Sequence, residues 1–212
     1  MNSYTIKFIA FILFIIICNY KDIKEGLTSN NKNNILLLGD SMLNNSNYVK
    51  HGESVSDIIK IKEKNVNNLA LDNSKIKDIN RQINKISSSI YNNSNTYVFL
   101  SVGGNDILNL PSQNEEQIKD LFKEYLKLIK LIKNKLPKAK LVSLNIYHPQ
   151  TSYYKMYYSS IDLWNNLLNQ YTFEGYVVLN VDKLMKNKLD FVHDIEPSKQ
   201  GSNKIANAII NF

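Results

Sequence analysis

Residues 35–41 read Ile-Leu-Leu-Leu-Gly-Asp-Ser, a short apolar run that ends in a glycine and two polar residues. An apolar run of this length without polar alternation is typical of a strand buried on both faces of a sheet. The glycine and the polar residues after it indicate a turn where that strand ends. Ser41 is therefore expected at the edge of a sheet, where its hydroxyl is exposed and able to attack a ligand.

The rest of the chain alternates strand-like and helix-like patterns. Further strands are predicted at 66–71, 97–102, 141–146 and 176–179. Apolar residues with helical spacing predict helices around 76–90, 118–132, 161–168 and 205–210. This alternation predicts βαβ units with right-handed crossovers, and so an α/β fold with a mostly parallel sheet. Ligands bind at the carboxyl ends of the strands in such a sheet.

The composition limits the class of protein. A chain of 212 residues, 43% of them hydrophobic, suits one α/β domain and is too apolar to be wholly disordered. Cys18 is the single cysteine, which excludes an intramolecular disulfide framework and every multi-cysteine metal site. The net charge is +7, yet Arg81 is the only arginine and the lysines are spread over helix-like segments. The charge is therefore interpreted as solvated helix faces, and no nucleic-acid partner is predicted.

The amino terminus contains an unbroken apolar run at residues 8–18, flanked by Lys7 and Lys21. This length suits the apolar region of a signal peptide, whereas a membrane-spanning helix needs about 20 residues. No pair of small residues follows the run, so an uncleaved anchor and a signal peptide both stay open. The predicted organisation is a hydrophobic helix at 1–20, a polar linker at 21–33 and a domain at 34–212, either held at a membrane by a single pass or secreted.

Polar clusters follow the predicted strands or lie in the last loop. They are Gly39-Asp40-Ser41-Met42, Ala70-Leu71-Asp72-Asn73-Ser74, Gly103-Gly104-Asn105-Asp106 and Asp190-Phe191-Val192-His193. An Asp three residues before a His can accept a hydrogen bond from one imidazole nitrogen and leave the other to serve a hydroxyl. Taken singly, these clusters also fit an ordinary turn, a helix cap and a surface histidine.

Their order in the chain closely resembles that of the SGNH hydrolases, also called GDSL esterases and lipases, from residue 34 to residue 212. Ser101–Asp106 (Ser-Val-Gly-Gly-Asn-Asp) and Ile195–Gly201 (Ile-Glu-Pro-Ser-Lys-Gln-Gly) resemble a bacterial-type subset of that family. The resemblance implies a flavodoxin-like three-layer α/β/α sandwich with a five-stranded sheet. It also implies hydrolysis of carboxylic esters through a Ser-His-Asp triad and an oxyanion hole, without a cofactor or a metal.

The resemblance assigns roles to individual residues. Ser41 matches the nucleophile, His193 the general base and acid, and Asp190 the residue that orients the imidazole. The implied oxyanion hole consists of the Ser41 backbone N–H, the Asn105 side-chain amide and a backbone N–H at Asn73. The family usually has Gly at this last position, and Asn is the other residue that best tolerates a left-handed backbone.

Gly104 and His148 are further candidates, for the substrate pocket, whereas Glu196 before Pro197 is given no catalytic role and is expected to bond backbone near the last helix. The predicted substrate is a small-molecule, lipid or glycan ester. Two alternatives stay open: an acyltransferase that uses the same triad, and a non-catalytic membrane-anchored binding module that keeps the fold.

Overall fold

The structure is a computed structural model that describes residues 34–171 and 175–212. The predicted hydrophobic helix at 1–20 and the linker at 21–33 lie outside these residues. A search of the described part of the chain finds no helix with the length and apolar character needed to cross a bilayer.

A five-stranded parallel sheet forms the centre of the domain. Its strands are β1 (Asn34–Gly39), β2 (Val66–Asn68), β3 (Thr96–Ser101), β4 (Lys140–Leu144) and β5 (Tyr176–Leu179). They lie in the order β2-β1-β3-β4-β5, and each neighbouring pair is parallel. The chain therefore winds outward on both sides from β1 and β3, and the crevice at the carboxyl ends of these two strands is where such folds bind ligands.

Helices and a short hairpin complete the described residues. The helices are α1 (Val55–Lys62), α2 (Ile79–Asn84), α3 (Ser88–Tyr91), α4 (Gly104–Leu108), α5 (Glu115–Lys135), α6 (Tyr158–Gln170) and α7 (Lys199–Ile210). Single 3₁₀ segments occur at Ile76–Asp78, Ser152–Tyr157, Val181–Lys183 and Lys188–Asp190. The antiparallel strands β6 (Phe191–Val192) and β7 (Glu196–Pro197) form a hairpin before α7.

Alternating side chains of each central strand enter two separate apolar cores. Leu36 and Leu38 of β1 pack in one core with the buried faces of α2, α5 and α6. Ile35 and Leu37 pack in the other core with α1 and α7. A strand that is covered on both faces must be apolar at every position, which explains the unbroken run in β1. The predicted three-layer α/β/α arrangement with a five-stranded parallel sheet is confirmed for the described residues.

Two elements differ from the sequence prediction. Strand β2 ends at Asn68, although the backbone N–H groups of Leu69 and Leu71 still donate to carbonyls of β1. The helix predicted at 76–90 is divided into a 3₁₀ segment, α2 and α3. Ser87, Ser88 and Ser89 lie at this break, and serine is a weaker helix former than the residues of a continuous helix.

Candidate active site

The turn that carries Ser41 is fixed by the end of β1. Gly39 has φ 135°, and a side-chain carbon there would collide with the carbonyl oxygen of Ser101 on β3. Only glycine fits both this backbone conformation and this close approach of two strands. The side chain of Gln82 bonds to both backbone groups of Gly39, at 2.7 and 2.8 Å. Ser41 therefore lies on a rigid turn at the carboxyl edge of the sheet.

The Asp40 carboxylate stabilises the same turn from inside. It accepts hydrogen bonds from the Ser101 hydroxyl at 2.8 Å and from the Met42 backbone N–H at 3.1 Å. Burial raises the pKa of Asp40 to about 7, and the charge of Asp106 adds to this rise against the effect of the two hydrogen bonds. Asp40 holds the backbone of the turn that carries Ser41, and its hydrogen bonds involve groups other than the Ser41 hydroxyl.

The Ser41 hydroxyl donates a hydrogen bond to Oε1 of Glu196, 3.1 Å away. Both residues are buried, with exposed fractions of 9% and 8%. The pKa of Glu196 is raised to about 7, mainly by burial and in addition by the carboxylates of Asp40 and Asp72, while the hydrogen bond from Ser41 opposes the rise. The sequence-based expectation that Glu196 bonds to backbone near the last helix is wrong for Oε1, which accepts from the Ser41 hydroxyl instead. The second carboxylate oxygen, Oε2, is buried without a hydrogen-bond partner among the described residues.

Asp190 makes contacts that differ from those of a triad aspartate. It is fully buried, and its carboxylate accepts hydrogen bonds from four donors: Lys204 Nζ, Gln200 Nε2 and the backbone N–H groups of Lys186 and Asn187. Burial by itself raises the pKa of Asp190, but these donors together hold it below the usual carboxyl value. Three of these donors bond to Oδ2 and Gln200 bonds to Oδ1, so the Asp190 carboxylate is held mainly through one oxygen.

His193 lies at the tip of the hairpin between β6 and β7. Its φ is 48° and that of Asp194 is 70°, and the Ile195 backbone N–H donates to the His193 carbonyl at 2.8 Å. The imidazole is exposed and contacts the ring of Tyr48, with ring centroids 5.9 Å apart. Among the described residues, no hydrogen bond joins this imidazole to Ser41 or Asp190. The hydrogen bond of the Ser41 hydroxyl therefore goes to Glu196, and the roles predicted for His193 and Asp190 stay predictions.

We expect Asp190→Asn to destabilise the protein by about 3 kcal/mol at neutral pH, because it leaves Lys204 without its buried anionic partner. The pKa of Asp190 is lowered by folding, so its contribution is complete at neutral pH and is lost as pH falls through the folded-state value. Denaturant unfolding of the single variants Asp190→Asn and Lys204→Met and of the double variant measures the coupling. Single and double variants that unfold like the wild type contradict this structural role.

The predicted oxyanion-hole residues lie on two adjacent loops. Asn105, on the first turn of α4, donates from Nδ2 to the Ser74 carbonyl at 3.1 Å. An amide nitrogen carries two hydrogens, so this bond fixes the side chain and leaves one N–H for a ligand. Asn73 has φ 59°, the left-handed conformation for which the sequence analysis expects Asn to replace Gly. Its side chain is exposed, and its role as a donor stays a prediction.

A cavity of about 60 Å³ opens beside Ser41. Its polar lining includes Ser41, Asn105 and Glu196, and the apolar lining is Met42, Ile107, Leu108, Ile146, Tyr147, Pro149, Ile161 and Ile195. Gly104 also lines it, as the sequence predicts. His148 does not belong to this lining: its ring stacks on Tyr158 at 4.1 Å, and its Nε2 lies 2.9 Å from the Asp162 carboxylate. Over 34–171 and 175–212, no group of three or more His, Cys, Asp or Glu residues is arranged to hold a metal ion.

Comparison with known proteins identifies the fold. No protein-family model and no curated protein matches the sequence. Among solved structures, a lipase from a goat rumen metagenome has a TM-score of 0.67 at 14% identity, covering 85% of this chain and 97% of its own. A phospholipase A1 from Streptomyces albidoflavus has a TM-score of 0.63 at 15% identity, and the match covers 85% of this chain and 99% of that protein. A member of the lipolytic G-D-S-L family from Veillonella parvula has a TM-score of 0.62 at 16% identity, and the match covers 84% of this chain and 96% of that protein.

These structures define the class of fold. The chain has the fold of the GDSL, or SGNH, lipolytic enzymes, and the resemblance seen in the sequence is confirmed at that level. The sequence did not identify Glu196 as a partner of Ser41. A signal was present: Glu196 is an ionisable residue between Ile195 and Pro197 in a segment that resembles the family, and a buried carboxyl there requires a partner.

Proposed function

We propose that the protein is a serine hydrolase of carboxylic esters, with Ser41 as the nucleophile. The observation that carries the proposal is the hydrogen bond of the Ser41 hydroxyl to the buried Glu196 carboxyl, at the edge of the lined cavity. A serine hydroxyl is a weak nucleophile unless an adjacent base removes its proton. The likeness of the fold to lipases and a phospholipase A1 supports the same class of reaction.

In this reaction the Ser41 oxygen attacks the acyl carbon, and negative charge develops on the carbonyl oxygen. The free N–H of the Asn105 amide and the backbone N–H of Ser41 are the donors proposed for this oxyanion. The N–H of Asn73 remains the third donor predicted from the sequence. Roles for His193 as base and Asp190 as its partner also stay predictions, and so does the membrane anchor in residues 1–20.

The cavity favours a short, unbranched acyl group. A volume of about 60 Å³ holds about four to six water-sized groups, because each needs about 10–15 Å³. The apolar side chains of Ile107, Ile146 and Ile161 offer no partner to a polar acyl chain. An acetyl or butyryl ester fits these limits, whereas a long acyl chain extends out of the cavity into water.

Labelling with a fluorophosphonate probe and a panel of p-nitrophenyl esters tests the proposal. We expect covalent modification of Ser41 in folded protein, located by peptide mass, and no modification of protein that is denatured before the probe is added. The value of kcat/KM is expected to rise from acetate to butyrate, since each buried methylene contributes about 0.8 kcal/mol, and to gain nothing more with octanoate, whose outer methylenes stay in water. Folded protein in which Ser41 stays unlabelled supports the binding-module alternative, and transfer of the acyl group to an added alcohol in preference to water supports the acyltransferase.

A further inference from the structure

We propose that Glu196 is the general base that takes the Ser41 proton, so that the site works as a Ser41–Glu196 pair. This inference rests on the proposed function, because it names the base of the same reaction. It differs from the assignment that the sequence resemblance implies, in which His193 holds that role.

The backbone on both sides of the contact is held in place. Glu196 lies in β7, where it pairs with Val192 of β6, and this fixes the strand from which its side chain projects. Asn45, four residues after Ser41, donates from Nδ2 to the Pro197 carbonyl at 2.7 Å. The turn that carries Ser41 and strand β7 are thus held together beside the reacting groups. The 3.1 Å distance between the Ser41 hydroxyl and Glu196 Oε1 is therefore set by the fold rather than by two mobile side chains.

The number of donors separates the two candidate carboxyl groups. Glu196 accepts one hydrogen bond, from Ser41, and its Oε2 has no partner among the described residues. Asp190 accepts four, one of them from the cationic Lys204. Each donor to a carboxylate stabilises its charged form and lowers its affinity for a proton. Glu196 is therefore a far stronger base than Asp190, and it is the one that contacts the nucleophile.

The charges around Glu196 act in the same direction. The Asp40 and Asp72 carboxylates raise its pKa, and burial contributes the largest part, to a value of about 7. Glu196 raises the pKa values of three tyrosines, Tyr48, Tyr147 and Tyr154, which are neutral at that pH and add no charge beside it. A base is most effective when its pKa lies near the working pH, because it is then both ionised and strong.

The proton transfers balance with this pair alone. As the Ser41 oxygen forms a bond to the acyl carbon, its proton moves to Glu196 and the carbonyl electron pair moves onto the carbonyl oxygen. When that oxyanion collapses, the bond to the alcohol breaks and Glu196 returns the proton to the leaving oxygen. In the second half, water attacks the acyl-enzyme, its proton moves to Glu196, and Glu196 delivers it to Ser41 as the acid leaves.

Esterase kinetics of matched variants test the assignment. We expect Glu196→Gln to lower kcat/KM for p-nitrophenyl acetate by at least about 100-fold. The factor by which His193→Gln lowers kcat/KM is expected to be at least about tenfold smaller. The wild-type rate should rise with pH around an apparent pKa near 7 that barely changes with temperature, because carboxyl ionisation has almost no enthalpy and imidazole ionisation is endothermic. The assignment is overturned if His193→Gln loses as much as Glu196→Gln, or if the apparent pKa shifts with temperature as an imidazole does.

Thermal unfolding supplies a readout that is independent of activity. The folded pKa of Glu196 is above its unfolded value of 4.5, so the folded state binds more protons between these values and wild-type stability falls as pH rises through them. Glu196→Gln removes this penalty. Its unfolding midpoint should exceed that of the wild type above about pH 7 and equal it near pH 4. A variant that is less stable than the wild type at about pH 8 contradicts a buried, ionised Glu196.

Probe labelling separates failure of this inference from failure of the proposed function. A wild-type protein whose Ser41 is not labelled defeats the proposed function. If the wild type and Glu196→Gln are labelled at the same rate, Ser41 is nucleophilic and Glu196 is not its base. Glu196→Asp keeps the carboxyl but withdraws it by one methylene, and we expect its labelling rate to lie between those of the wild type and Glu196→Gln.

Discussion

Ser41→Ala is expected to lower kcat for p-nitrophenyl acetate by at least about 10⁴-fold, the largest effect of any single substitution in this domain. The reason is chemical: the variant lacks the oxygen that forms the acyl-enzyme, and no other hydroxyl is hydrogen bonded to Glu196 among the described residues. Residual hydrolysis would come from the oxyanion donors and from binding alone. Steady-state kinetics and pre-steady-state measurement of the acyl-enzyme burst check both expectations.

Ser160→Ala is the matched control for that substitution. Ser160 is also buried, with 2% exposure, and its hydroxyl has no hydrogen-bond partner among the described residues. Its removal should leave kcat within about twofold and the free energy of unfolding unchanged or higher, because an unpaired buried hydroxyl is unfavourable. Wild-type activity in Ser41→Ala would remove Ser41 from the mechanism. Equal loss in both would point to damage to the fold near β4 and α6.

The features of this structure that the sequence predicts are those that depend on residues close together in the chain. The apolar run 35–38 and the helical spacing from Ile118 to Ile132 depend on local burial, and both appear in the structure as β1 and α5. Gly39 and the turn after it are similarly local, because the left-handed backbone selects glycine. The position of Ser41 at the edge of the sheet could therefore be predicted from the sequence.

The partners of the carboxyl groups could not be derived in this way. Asp190 pairs with Lys204, which is fourteen positions later, and the pairing depends on how α7 packs after the hairpin. The same hairpin places Glu196 beside Ser41, which is 155 positions earlier. Spacing in the sequence favours Asp190 and His193 as a pair, but the left-handed turn at His193 and Asp194 presents the imidazole to solvent. Competition among donors for a carboxylate is visible only in three dimensions.

Asn105→Ala tests the other half of the mechanism, the stabilisation of the oxyanion. We expect kcat to fall by about 100-fold to 1000-fold with a much smaller change in KM, because this donor acts chiefly on charge that develops in the transition state. One N–H of the Asn105 amide is already occupied by the Ser74 carbonyl, and this bond fixes the side chain beside the cavity that Asn105 lines before substrate arrives. Donors fixed in advance need no reorganisation during the reaction, which is why a single amide has so large an effect.

Asn109→Ala serves as the control for Asn105→Ala, because Asn109 lies one turn further along, at the end of the same helix. Its side-chain amide is exposed and donates to the Asn105 carbonyl at 2.7 Å, so its removal also deletes one hydrogen bond of α4. A purely structural effect of Asn105 would make the two variants alike in kcat and in unfolding. An electrostatic role predicts that kcat falls in Asn105→Ala but not in Asn109→Ala. It also predicts a still greater fall in Asn105→Asp, because the aspartate places a negative group where the oxyanion forms.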